Sequence, residues 1–322
     1  MSADSAGTAE TPTTSAAEPL ARPIDPTARY GAGLDRALVL GGGGVWFVAW
    51  QSTYLDTLRS LGIDWGLAQR VVGTSAGSLV AAAVSGGRLG RLATEVSLLS
   101  RVPALVGALA PAAELHPSQE RALELFQQAP DADPARVRSI GHAALAAQTP
   151  PAAMMVRNVR LIVGGGAWPS PALTVTATDT WSGERLAVTA GHGVRGALAC
   201  AASSAVPGLF SPQQLGDRRA MDGGVSGSGT HADLVAGASR AIVVALSDGS
   251  TMPGPAMTIT PTTFSTEMDG VRAQGTALLT LVADTPADPA DLMDPAAVPA
   301  AVAAAQRRAH ADVDAVRDFW AP

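Results

Sequence analysis

The chain contains no lysine: all 22 of its basic residues are arginines, set against 28 acidic ones for a formal net charge of -6. No run of those arginines forms the footprint of a nucleic-acid-binding face, so neither DNA nor RNA is expected as a partner. Cysteine is nearly absent. The single thiol, Cys200, rules out an intrachain disulfide, and its alanine-rich surroundings predict a small buried hydrophobe rather than a reactive group. The five histidines show no H-E-x-x-H spacing and there is no C-x-x-C, so no metal and no cofactor are expected. Long apolar runs are missing too. Gly, Pro, Arg or Ser interrupts every candidate before the roughly 18 to 20 residues a bilayer requires. The opening segment, rich in Ala, Thr, Ser and Pro, lacks the basic start and apolar core of a secretory signal. Residues 1–33 therefore read as a disordered tail, 34–322 as one domain, and the expected location is cytoplasmic with room for peripheral contact at a membrane.

Apolar residues make up 47% of the chain, enough for one large core. Arg36–Leu40 is a short apolar run that stops at four glycines, as a buried parallel strand does when it gives way to a functional loop. From Val45 to Leu61 the apolar spacing is helical and ends at Gly62. A second strand, Arg70-Val71-Val72, leads through Gly73-Thr74-Ser75-Ala76-Gly77 into a helix ended by Gly86-Gly87. Two successive strand–loop–helix units predict a mainly parallel sheet between helices. Leu89 to Ala153 reads as helical, punctuated by prolines: a cap over a site or a layer on the sheet. Further strands are expected at Val159–Val163, Ala172–Thr178 and Ala241–Leu246, and a long helix from Ala300 to Trp320.

Gly73–Gly77 matches G-x-S-x-G, the strained strand-to-helix turn that lifts a serine hydroxyl clear of the backbone, and it sits between a strand and a helix as that turn requires. Ser75 is the candidate nucleophile. Four consecutive glycines lose much backbone entropy on folding, and a loop of bare N–H groups gives a reason to keep them. The amides of Gly42, Gly43 and Gly44 are candidates for an oxyanion hole. A phosphate loop is disfavoured because no lysine follows, and a dinucleotide fingerprint because Phe47 stands where its closing glycine belongs. Asp222 precedes two glycines in a turn that can present its carboxylate on a loop.

Taken together, Gly41–Phe47, Gly73–Gly77, Ala202–Pro212 and Asp222-Gly223-Gly224, in this order and spacing, resemble the bacterial type of patatin-like phospholipases. The resemblance implies a three-layer α/β/α fold with a helical cap-like insertion and a Ser-Asp dyad without histidine. It also implies hydrolysis of lipid acyl esters, with Ser75 attacking the carbonyl and Asp222 taking the proton. The chain departs from the family pattern at Trp46-Phe47, where a small or basic residue and a glycine are usual, and these rings are expected to shape the substrate pocket. His231, nine residues after Asp222, is expected beside the site. Rival readings are a Ser-His-acid hydrolase, an acyltransferase using the same acyl-enzyme, and a catalytically weak lipid-binding protein. Arg136, Arg138, Arg157 and Arg160 are candidates for a basic face toward phospholipid head groups.

Overall fold

Strand β1 (Arg36–Leu40) is buried along its whole length because both of its faces are covered. Its alternate residues point opposite ways: Leu38 and Leu40 enter one core, Ala37 and Val39 another. A computed structural model describes residues 18–99, 114–250, 261–286 and 288–321. Within them, β1 is flanked by parallel β2 (Arg70–Thr74) and β7 (Arg240–Ala245), with β3 (Leu173–Asp179) beyond β2 and β8 (Ala277–Val282) beyond β7, all parallel. Three antiparallel strands complete this eight-stranded sheet: β4 (Arg185–Val188), β5 (Gln213–Leu215) and β6 (Arg218–Asp222).

Helices α1 (Gly44–Ser60), α2 (Ala76–Ser85) and α9 (Val298–Trp320) pack on the Leu38 face. The opposite face is covered by α8 (Pro261–Ala273) and the single turn Ala232–Val235. This is the expected three-layer arrangement around a mainly parallel sheet. The rings of Trp50 and Tyr54 stack at 4.6 Å on α1, and the Tyr54 hydroxyl donates to Asp312 Oδ2 on α9 at 2.8 Å. The two helices are thereby locked together, and burial beside that carboxylate pushes the phenol's pKa up.

Between β2 and β3 the chain forms α3 (Leu89–Leu99), α4 (Pro117–Gln127), α5 (Pro134–Ala146) and α6 (Ala152–Val163); α7 (Gly196–Ser203) follows β4. The strand expected at Val159–Val163 is the last part of α6. There Met155, Val159 and Val163, four residues apart, bury one helical stripe, a pattern that a short β-branched window conceals.

The tail expected over residues 1–33 does not extend over residues 18–33. Residues 18–33 run as a strap beside β4: Ala21 bridges Leu186, and the Arg22 amide donates to the Arg185 carbonyl at 2.9 Å. The Arg185 guanidinium, fully buried, needs acceptors and takes them from the Arg22 and Pro23 carbonyls at 3.0 and 2.6 Å, besides the Asp233 carboxylate. Residues 1–17 lie outside the described residues.

Candidate active site

Ser75 sits between the last residue of β2 and the first of α2 with φ 50° and ψ -122°. A non-glycine residue held there costs on the order of 1–3 kcal/mol and persists only where its surroundings fix it. Here three hydrogen bonds do so. The Ser75 amide donates to Ser203 Oγ at 2.8 Å, and its carbonyl accepts from the Ser78 amide at 2.9 Å and from Ser78 Oγ at 2.7 Å. Gly77 allows the tight turn: a Cβ there would stand 2.1 Å from the Leu40 carbonyl oxygen at the end of β1.

The sheet register explains how residues 147 apart in sequence meet. Each residue of β3 has one neighbour on either side, and β4 occupies one side, facing Val175 to Thr178. On the other side β2 pairs as far as Thr176, and antiparallel β6 takes over from Ala177. Strands β2 and β6 therefore run head to head along one flank of β3, and the residues at their junction are Thr74-Ser75 and Asp222. Ser75 Oγ donates to Asp222 Oδ2 at 2.7 Å. The carboxylate's other oxygen accepts from the Gly224 amide at 2.8 Å, and the Asp222 amide is tied to the Ala205 carbonyl at 3.0 Å.

Asp222 is fully buried. Loss of hydration raises its pKa to about 7, against the opposing pull of the Ser75 and Gly224 hydrogen bonds. A carboxylate poised near neutrality, hydrogen-bonded to a serine hydroxyl, is suited to accept that hydroxyl's proton.

The glycine loop stands across from this pair. Gly43 and Gly44 form the start of α1 and border the same cavity as Ser75. Among the described residues their amides have no hydrogen-bond partner, so the positive end of α1 is open to an anionic oxygen. Gly42 differs: its amide donates to the Gly229 carbonyl at 3.1 Å. Of the expected trio, Gly42 is thus already engaged, and Gly43 and Gly44 are left as the candidate donors. Gly44, at φ 72°, could carry a Cβ only 2.4 Å from the Leu292 carbonyl oxygen. Gly44→Ala is expected to displace the loop and lower kcat by about a hundredfold or more, the typical cost of losing one oxyanion donor, with KM nearly unchanged. Steady-state kinetics on a soluble ester checks this.

Above Ser75 opens a cavity of about 260 Å³, walled by side chains such as Val48, Leu79, Leu123, Phe126, Val159 and Leu292. Helices α3, α4 and α6 contribute much of that wall, so the middle of the chain does cover the site; residues 100–113 of that stretch lie outside the described residues.

A family model described as Patatin-like phospholipase matches residues 38–236, more than half of the chain. The chain belongs to this family. Among curated proteins nothing matches. Solved structures are similar, these three among them. The type III effector protein ExoU shares 19% identity at a TM-score of 0.34, over 86% of this chain and 53% of its own. VipD from Legionella pneumophila shares 14% at a TM-score of 0.41, over 88% and 68%. ExoU in complex with SpcU, from the type III secretion system of Pseudomonas aeruginosa, shares 14% at a TM-score of 0.37, over 98% and 61%. The chain thus spans about half the length of the first of these.

Several expectations for this patatin-like site change with the structure. Trp46 and Phe47 do not border the cavity. Because α1 begins at Gly44, helical spacing turns Val45, Val48 and Ala49 toward it and sends Trp46 and Phe47 into the main core, where Phe47 lies 5.8 Å from the Trp50 ring. The aromatic pair therefore does not line the pocket, and Phe47 packs beneath the glycine loop against Gly43. His231 does not border it either. It is buried in the left-handed region at φ 54°, and its Nε2–H donates to the Gly223 carbonyl at 2.8 Å. Burial, with the Arg185 charge adding to it, lowers its pKa to about 3, so the ring is neutral and holds the turn after Asp222. Among the described residues the side-chain partner of Ser75 Oγ is Asp222 and not a histidine. Cys200 is buried and its thiol is pushed up to about 12, consistent with a packing role.

Sequence reasoning missed the residues that hold the machinery. Gln51 Nε2 donates to the Gly41 carbonyl at 3.0 Å from the middle of α1, and Ser203 accepts from the Ser75 amide. A lone glutamine in an otherwise apolar stretch of α1 was the available signal for the first. Ser203 lay inside a stretch already marked by the family resemblance, without a role.

Proposed function

We propose that this chain is a serine acyl hydrolase that cleaves carboxylic esters of lipids through a Ser75–Asp222 dyad and an acyl-enzyme. The observation that carries the reading is the 2.7 Å hydrogen bond from the strained Ser75 hydroxyl to a buried carboxylate, at the floor of an apolar cavity. Asp222 takes the hydroxyl proton as Ser75 Oγ bonds to the ester carbon, and the carbonyl oxygen becomes an anion facing the Gly43 and Gly44 amides. As that intermediate collapses, the bond to the alcohol breaks and Asp222 returns its proton to the departing oxygen. Water then repeats the sequence on the acyl-serine, with Asp222 again as base.

Cavity size supports a medium chain. The cavity, about 260 Å³ among the described residues, exceeds the roughly 150 Å³ that accepts six-carbon benzene, so it takes an acyl chain of more than six carbons. Hydrolysis of p-nitrophenyl esters of graded length is expected to peak beyond six carbons, and an alkyl organophosphonate is expected to add to Ser75 alone, as read by peptide mass. An unmodified Ser75 alongside no ester turnover would leave the lipid-binding reading in its place.

A further inference from the structure

The two faces of α6 have opposite tasks. Its inner face supplies Met155, Val159 and Ile162 to the cavity wall. Its outer face carries Met154, 39% exposed, and Leu161, 74% exposed, the most exposed large apolar side chain among the described residues. Between and beside them project Arg157 and Arg160, both exposed. Neither arginine has an acidic partner among the described residues, unlike most arginines elsewhere on this surface. Two further arginines converge on the same end of the helix. Arg195 shares a small crevice with Arg160, Val156 and Leu198, and the Arg88 guanidinium lies against Gly164, immediately after α6. Neither of these has an acidic partner among the described residues.

A protein of net charge -6 has thus gathered four arginines without an acidic partner among the described residues around two exposed apolar side chains, on the helix that separates its cavity from solvent. Apolar side chains flanked by uncompensated cations match a surface that is anionic outside and hydrocarbon beneath. We infer that the outer face of α6, with Arg88 and Arg195, docks on an anionic lipid surface and brings the cavity to the membrane. The arginines hold the head-group phosphates while Leu161 and Met154 enter the acyl boundary. The basic face expected from sequence is therefore redrawn. Arg136 pairs with Asp131 and, like Arg138, stands on α5, so both leave the set; Arg157 and Arg160 remain, joined by Arg88 and Arg195.

The inference rests on the acyl-hydrolase reading for its purpose, but binding is measured apart from catalysis. The full chain is sedimented with phosphatidylcholine vesicles, with and without phosphatidylglycerol, and assayed in parallel on a soluble p-nitrophenyl ester. The wild type is expected to partition onto the phosphatidylglycerol vesicles and hardly onto phosphatidylcholine alone. Each arginine near an anionic surface is worth on the order of fivefold in partitioning, so the Arg157→Gln/Arg160→Gln pair is expected to weaken binding by about twenty-five-fold. Leu161→Asp is expected to weaken it as well, and Arg136→Gln to leave it unchanged. All three leave soluble-ester hydrolysis at the wild-type rate, which also reports that they are folded. Equal partitioning onto both vesicle types, no partitioning onto either, or undiminished binding by the arginine pair variant would overturn the inference. Charge-dependent binding by a protein that hydrolyses no ester would instead sink the hydrolase reading and leave the docking face standing.

Discussion

Ser75→Ala is expected to lower kcat/KM on a medium-chain ester by about four to six orders of magnitude, since removing a nucleophile collapses the whole covalent route rather than one contact. The protein itself should fold at least as well as the wild type. Alanine leaves the backbone bonds of residue 75 to Ser203 and Ser78 in place and removes only the hydroxyl that joins Asp222. A variant that melts at or above the wild-type temperature yet hydrolyses nothing separates chemistry from folding. Residual hydrolysis within tenfold of wild type would show that another group attacks the ester.

Asp222→Asn is expected to remove activity and add stability, in amounts that depend on pH. As the base, Asp222 must be ionised, so wild-type kcat/KM should rise tenfold per unit of pH and level off above about 7; the variant should lose about a hundredfold to ten-thousandfold at the plateau. For stability the direction reverses. The folded carboxyl holds its proton up to about pH 7, whereas in the unfolded chain it releases it near 3.8. Between those values the folded state binds more protons, so wild-type stability falls as pH rises through this window and is constant above it. The full loss is on the order of 4 kcal/mol, a buried charge without a cation beside it. Asparagine keeps the shape and an acceptor for the Gly224 amide without that charge. Urea unfolding should therefore show the variant more stable by a few kcal/mol at pH 8 and nearly equal to wild type at pH 4. Equal stability at both values would mean that Asp222 is not held near neutrality.

The parts legible in the sequence share one property: local pattern and physical cause coincide. Arg36–Leu40 followed by glycines, and Arg70–Val72 followed by G-x-S-x-G, sit close to the strand ends that the structure gives them. Asp222 was visible only through the company of other motifs, because its partner is set by the head-to-head register of β2 and β6 along β3, and register leaves no local signature. The same holds for β4, β5 and β6, which are short and partly polar and were not anticipated. Trp46 and Phe47 were misplaced for a different reason. Bulky rings beside a glycine loop suggest a pocket wall, but the direction of a helical side chain depends on where the helix starts, and that start lies within the glycine run. The strap of residues 18–33 has no local signature either, because the buried guanidinium that it meets lies 162 residues beyond Pro23.

Residues 222–231 connect both halves of the proposed chemistry. Asp222 stands at one end, His231 braces the Gly223 carbonyl, and the Gly229 carbonyl receives the Gly42 amide that steadies the oxyanion loop. Under the proposed mechanism, proton transfer and charge stabilisation would therefore not be separable modules. Damage anywhere along that segment degrades both at once, so substitutions within it should show strong mutual masking: the first lesion removes most of what a second could take away.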